Sequence, residues 1–162
     1  MAGLEAGAGA ERSITLTLPY PISANRYWRS FVPRGQSRAI VVVSDEAKAY
    51  KQEAAWLARA AGMRSPMAGR VAVDIKLYPA RPQDWVKRAQ RDPMTWDDTV
   101  QCLDLDNANK VLLDALKGVA FDDDKWVRRM VSERMEPDDK GARVVVTIRK
   151  IARPVAPQGS LI

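Results

Sequence analysis

The pattern of this 162-residue chain predicts an α/β (α+β) fold: a small mixed, mainly antiparallel β-sheet packed with two main helices. Three observations predict it. Short stretches of apolar–polar alternation recur along the chain, and two longer segments carry apolar residues at helical spacing. The two kinds follow one another roughly as β-β-α-β-loop-α-β-β, an order that suits helices segregated against a sheet. No repeat or heptad is visible.

Each element has a local reason. Ser13 to Leu18 alternates apolar and polar residues and stops at Pro19, as a strand does. Pro19 to Arg29 is a proline-rich turn with a dense polar and aromatic group, followed to about Gln36 by a loop of arginine, glycine and proline. Ile40 to Val43 is a short apolar run able to pair as a strand. Ser44-Asp45-Glu46 then opens a helix, with a capping hydroxyl and two acids at the positive end of the dipole. Ala47, Tyr50, Ala54, Leu57 and Ala61 continue it, and Gly62 ends it. Arg70 to Tyr78 alternates as a strand up to Pro79, and residues 80–99 read as a long irregular connection. Asn107 to Lys117 is helical, with Val111, Leu112, Ala115 and Leu116 on one face and Gly118 as the stop. Val127 to Met135 and Ala142 to Ile148 read as two strands joined by the turn EPDDKG.

Length and composition bound the function. An apolar fraction of 46% and a charged fraction of 28% suit one globular unit, expected at 13–151 between flexible tails at 1–12 and 152–162. No apolar run approaches membrane-spanning length, and the N-terminus lacks the layout of a signal peptide, so a cytoplasmic chain is the default expectation. Cys102 is the lone cysteine, which excludes an intrachain disulfide and a thiolate zinc cluster. The chain has no histidine. Imidazole bases, Ser-His-Asp triads and His-ligated zinc are therefore excluded, and hydrolysis would need carboxylates, lysine, hydroxyls, Cys102 or a metal-bound water.

The charge distribution narrows this further. Residues 97–124 hold eight aspartates against two lysines, a net of −6 in a chain of +6, so the remainder carries +12. An acidic island in a basic protein is what a metal site beside a phosphate-binding surface requires, although two unrelated acidic loops would look the same. The stretch D-L-D-N-A-N-K, Asp104 to Lys110, is not an EF-hand loop. Position five is Ala108, position six is Asn109 and position twelve is Ala115. Asp106 could cap a helix starting at Asn107, but that leaves Asp104 unexplained. With Asp104 to Asp106 extended, both carboxylates share one side, and Lys110 and Asp114 continue that face at steps of four. A solubility face, with Lys110 bridging Asp106 and Asp114, fits the same spacing. The aspartates 122–124 suit turn chemistry. Close to Asp104 and Asp106 they would repel without a cation between them, which favours Mg²⁺.

Four pieces together resemble a known family. P-I-S-A-N-R-Y-W-R at Pro21 to Arg29, D-L-D-N-A-N-K at Asp104 to Lys110, D-A-L-K-G at Asp114 to Gly118 and D-D-K-W-V at Asp123 to Val127 are similar to motifs of the RusA-type Holliday junction resolvases. The resemblance covers roughly Ser13 to Ile151. It implies a RusA-like fold and a small homodimeric, magnesium-dependent endonuclease that resolves four-way DNA junctions in recombination and repair, with Mn²⁺ as a substitute ion. It implies that Asp104, Asp106 and Asp124 are metal-binding catalytic carboxylates, with neighbouring Asp123 as an alternative ligand, and that Lys110 is the essential lysine. Such proteins are common in bacteriophages and prophages, so a bacterial host cell is implied. Members often carry an arginine run just before D-L-D; here that place holds DDTVQCL, and the basic residues lie further back.

Arg26, Arg29, Arg34 and Arg38, with Arg81, Lys87, Arg88 and Arg91, are the candidate contacts to the DNA backbone. Tyr27, Trp28 and Trp85 could stack on bases at the crossover or pack in the core or a dimer. Two rival functions remain open to the sequence: a metal-dependent flap or single-strand nuclease, and a non-catalytic branched-DNA-binding protein.

Overall fold

A computed structural model describes residues 12–153. Apart from Arg12, Ala152 and Arg153, the tails expected at 1–12 and 152–162 lie outside the described residues. The elements run β1 (Ser13–Pro19), α1 (Ala24–Tyr27), β2 (Trp28–Phe31), β3 (Ile40–Val43), α2 (Asp45–Ala60), β4 (Val71–Tyr78), α3 (Trp85–Arg91), α4 (Leu105–Leu116), β5 (Val127–Arg134) and β6 (Arg143–Lys150). Single 3₁₀ turns at Trp96–Thr99 and Asp124–Trp126 precede α4 and β5.

Four strands form a mixed sheet in the order β1-β6-β4-β5. β6 is antiparallel to both β1 and β4, and β4 is parallel to β5. The expected mixed, mainly antiparallel sheet is present. However, the strands flanking EPDDKG are not neighbours, because β4 lies between them. β2 and β3 form a separate hairpin.

Alternation explains the layering. Leu16 and Leu18 of β1, Val71, Val73, Ile75 and Leu77 of β4, and Val144, Val146 and Ile148 of β6 are all buried. They meet Ala47, Tyr50, Ala54 and Ala58 of α2 and Ala108, Val111, Leu112, Ala115 and Leu116 of α4 in one core. The two main helices are thus the two expected ones. α2 starts as the sequence implies, with the Ser44 hydroxyl accepting from the Ala47 amide at 3.1 Å. Gly62 and Gly118, just beyond α2 and α4, adopt positive φ of 99° and 77°, where a side chain would be strained.

Two expectations need correction. The connection 80–99 is not irregular throughout: it contains α3, which escapes a periodicity test because none of its residues is buried. The segment after Pro21 is not merely a turn, since it forms α1 and then β2.

Candidate active site

The two aspartate groups occupy opposite ends of α4. Asp104 is the N-cap residue, Asp106 lies in the first turn, and Lys110 follows one turn later; all three are exposed. The helix starts two residues earlier than the sequence implied. Its cap is therefore not Asp106, and Asp104 to Asp106 is not an extended stretch. The Asp104 backbone carbonyl accepts from the Ala108 amide at 2.9 Å, but its carboxylate makes no capping hydrogen bond. Capping does not use up these carboxylates. Asp104, Asp106 and Lys110 also form no ion pair among the described residues. The bridge considered for Lys110 is absent, because Asp114 accepts from the buried Tyr27 hydroxyl at 2.5 Å and pairs with Lys51 at 3.4 Å. Burial first, and Asp114 second, push the Tyr27 phenol well above its ordinary range.

Contacts from distant sequence hold the N-terminal end of α4 in place. The Tyr20 hydroxyl accepts from the Leu103 amide at 2.7 Å and donates to the Cys102 Sγ at 3.6 Å, fixing the approach to Asp104. Burial pushes Tyr20 up to about 12, partly offset by the Leu103 amide. The Asn107 Oδ1 accepts from the Ala24 amide at 2.6 Å. It caps α1 from outside, since Ser23 makes no side-chain cap bond there. Asn107 lies inside D-L-D-N, which was its sequence signal. Tyr20 had none.

At the other end, β5 runs back alongside α4. Lys117 pairs with Asp123 at 3.4 Å, and the Ser132 hydroxyl donates to the Asn109 Oδ1 at 2.7 Å. Asp123 caps the 3₁₀ turn by accepting from the Lys125 amide at 3.0 Å. That amide first, and then the Asp124 side chain and Lys117, hold its carboxyl below the usual range. Asp124 is exposed and, among the described residues, forms no ion pair; its one side-chain neighbour of note is the Asp123 carboxylate. The length of α4, about 18 Å at the helical rise, separates it from Asp104 within one chain. Accordingly, among the described residues no group of three or more acidic or cysteine side chains is gathered so as to hold a metal ion. The donor chemistry nevertheless suits a hard divalent cation: exposed carboxylates with free oxygens.

The candidate basic residues divide into groups. Arg26, Arg81 and Arg88 line one cleft beside Leu103. Arg26 pairs with Glu46, and Arg88 with Asp84 at 2.9 Å. Arg29 lies on β2, while exposed Arg34 and Arg38 lie in the loop between β2 and β3. Lys87 and Arg91 project from α3 into solvent. Tyr27 is fully buried, its ring 4.6 Å from that of Trp28, so it packs in the core and is not available to stack on a base. Trp85 is half-buried between Arg81 and Trp96.

Exposed carboxylates, an amine without an ion pair among the described residues and an arginine-lined cleft on an α/β scaffold suit the chemistry of a phosphodiesterase. A family model described as endodeoxyribonuclease RusA matches residues 19–149. The chain belongs to that family, the endodeoxyribonucleases that resolve Holliday junctions, as its four motifs had indicated. No curated protein sequence matches the chain. No helix among the described residues is long and apolar enough to cross a membrane.

Proposed function

We propose that this endodeoxyribonuclease cuts opposed strands of a four-way junction as a homodimer, using Mg²⁺ held by Asp104, Asp106 and Asp124. The single observation that carries the reading is the contrast in engagement along α4. Among the described residues Asp104, Asp106, Lys110 and Asp124 form no ion pair, whereas neighbouring Asp114 and Asp123 are committed to structural contacts. Asp124 is therefore favoured over Asp123 as the ligand.

A second chain supplies the missing proximity. Among the described residues β5 pairs with β4 alone, and it exposes Met130 and Val131. An unpaired, partly apolar edge invites pairing with another strand. If two copies of β5 pair antiparallel about a two-fold axis, the start of one strand lies opposite the end of the other. Because β5 runs antiparallel to α4, this brings the partner's Asp124 toward Asp104 and Asp106. Each composite site would then draw two carboxylates from one protomer and one from its partner.

An ion held by these carboxylates would supply Lewis-acid polarisation of the phosphoryl oxygens and a lowered pKa for the attacking water; Mn²⁺ suits the same oxygen donors. The chain's own groups do the rest. Asp104 and Asp106 stand at the start of a helix whose backbone is held by Tyr20 and Asn107, so both carboxylates are offered from one fixed place. Lys110 places a point charge one turn further on, where it neutralises charge developing on the phosphate. The arginines hold the strand's backbone and steer the junction to the acidic edge. Asp106→Asn should reduce Mg²⁺-dependent cleavage of a synthetic four-way junction by roughly 10³-fold or more, with binding in a gel shift retained. Normal cleavage by that variant would refute the assignment.

A further inference from the structure

Beside Asp104 lies a cleft of about 780 Å³, within the roughly 300–1,000 Å³ typical of small-ligand sites. It opens between the segment after β1 and the connection that follows β4. Its walls mix apolar groups, including Pro21, Ile22 and Val100, with the guanidinium groups of Arg26, Arg81 and Arg88. The wall formed by Gln101, Cys102 and Leu103 leads directly into Asp104.

Arg81 sets this cleft apart from an ordinary surface groove. Its guanidinium lies 4.1 Å over the Trp85 ring, yet it forms no hydrogen bond or ion pair among the described residues. Its Nε is buried without a partner. A stacked guanidinium is held in one plane, and its remaining N–H groups are a preorganised fork for an anion. Gln101 is exposed, and among the described residues its side-chain amide has no hydrogen-bond partner, leaving a donor and an acceptor to offer. The Tyr20 hydroxyl is already engaged with Leu103 and Cys102, so the tyrosine gives the wall rigidity and leaves edge recognition to Gln101.

We infer that the cleft receives one unpaired nucleotide of the strand that passes Asp104, with its phosphate on Arg81 and its base against the apolar wall, where Gln101 reads the base edge. This rests on the nuclease reading above and extends it to sequence selection. A four-way junction can supply such a nucleotide at its crossover. A free phosphate would use the guanidinium groups but leave the apolar wall and Gln101 idle. A base inserted there would bias which sequence is presented to the carboxylates, since unpaired bases are recognised by stacking and by their hydrogen-bonding edges.

The test uses the full-length wild-type protein in EDTA, so that no cut is required. A junction carrying 2-aminopurine next to the crossover is titrated with protein, and fluorescence is followed beside a gel shift. We expect a severalfold fluorescence change on binding that Arg81→Ala removes and Gln101→Ala diminishes. A junction abasic at that position should bind about tenfold more weakly than its parent. In Mg²⁺, Gln101→Ala should also flatten the distribution of cut sites across junctions of differing sequence. Equal binding of abasic and parent junctions would leave only a phosphate contact and overturn the inference. An unchanged fluorescence signal with both variants would overturn it as well. Arg81→Lys, which keeps the charge and loses the fork, should behave like Arg81→Ala if the planar contact matters. Because the fluorescence readout needs no catalysis, failure of the cleavage assignment would be seen separately, in the Asp106→Asn assay.

Discussion

The two ends of α4 carry the same chemistry and use it differently. At the N-terminal end, Asp104 and Asp106 are exposed and without ion pairs, on a backbone pinned by Tyr20 and Asn107. At the C-terminal end, Asp123 is tied to Lys117 and to the Lys125 amide, and Asp124 beside it is left without an ion pair. One end spends side chains from elsewhere in the fold to hold its carboxylates still. The other spends one of its own aspartates to shape the turn that presents the next. A run of acidic residues is thus not a uniform feature: the partner each carboxylate has, or lacks, sorts structure from chemistry.

The sharpest way to break the comparison is to mix two inactive variants. Asp106→Asn and Asp124→Asn should each be inactive alone. If the site is shared, their heterodimer regains one intact site of two. After random reassortment about a quarter of all sites should be live, read as nicking of a junction at least about 10²-fold above either variant alone. A site contained within one chain predicts no recovery at any ratio.

A smaller effect tests the pinning of the N-terminal end. Asn107→Ala leaves the Ala24 amide without its acceptor and should cost about 1–2 kcal/mol in chemical denaturation. Cleavage should fall with it, mainly in kcat, because α4 loses its tie to α1. Unchanged stability would mean that α1 needs no external cap.

Most of the sheet and both main helices could be read from the sequence because their signals are local. Alternation in Ser13 to Leu18 and Arg70 to Tyr78, and helical spacing around Tyr50 and Leu112, reflect one buried face per element. What could not be read depends on distance. The cap of α1 comes from a residue 83 positions away, and β6 bypasses its sequence neighbour β5 to pair with β4 and β1. The same holds for the site. The motifs pointed to Asp104, Asp106, Lys110 and Asp124 as candidates, but the placement of the two aspartate groups at opposite ends of α4 follows from the path of β5.

The pH profile gives a milder test. Tyr20 is raised from 10.0 to about 12, chiefly by burial, and burial also raises Tyr27 and Tyr50. A raised phenol stabilises the fold fully below its unfolded pKa, and that contribution is lost as pH climbs through the folded value. Thermal stability should therefore hold to about pH 10 and decline between about 10 and 12. Tyr20→Phe should flatten part of the decline while loosening the Leu103 segment. The smallest expected effect is that of Asp123→Asn, with cleavage within about threefold of wild type, because its ion pair is exposed and a neutral amide can still accept from Lys125. A loss as deep as that of Asp124→Asn would reverse the division between the two neighbours.

The position of β6 has a consequence for how the enzyme comes into being. β1 and β4 are made first, yet among the described residues they are joined in the sheet only through a strand synthesised after both. A nascent chain that has reached Arg134 can form the β2–β3 hairpin and the parallel pair β4–β5, but β1 then has only its helix contacts, such as the Tyr50 hydroxyl on the Pro19 carbonyl, and no strand to pair with. Non-local pairing of this kind delays completion until the last strand is available. Closure of the main sheet thus waits for β6, although the residues of the candidate site are all synthesised before it.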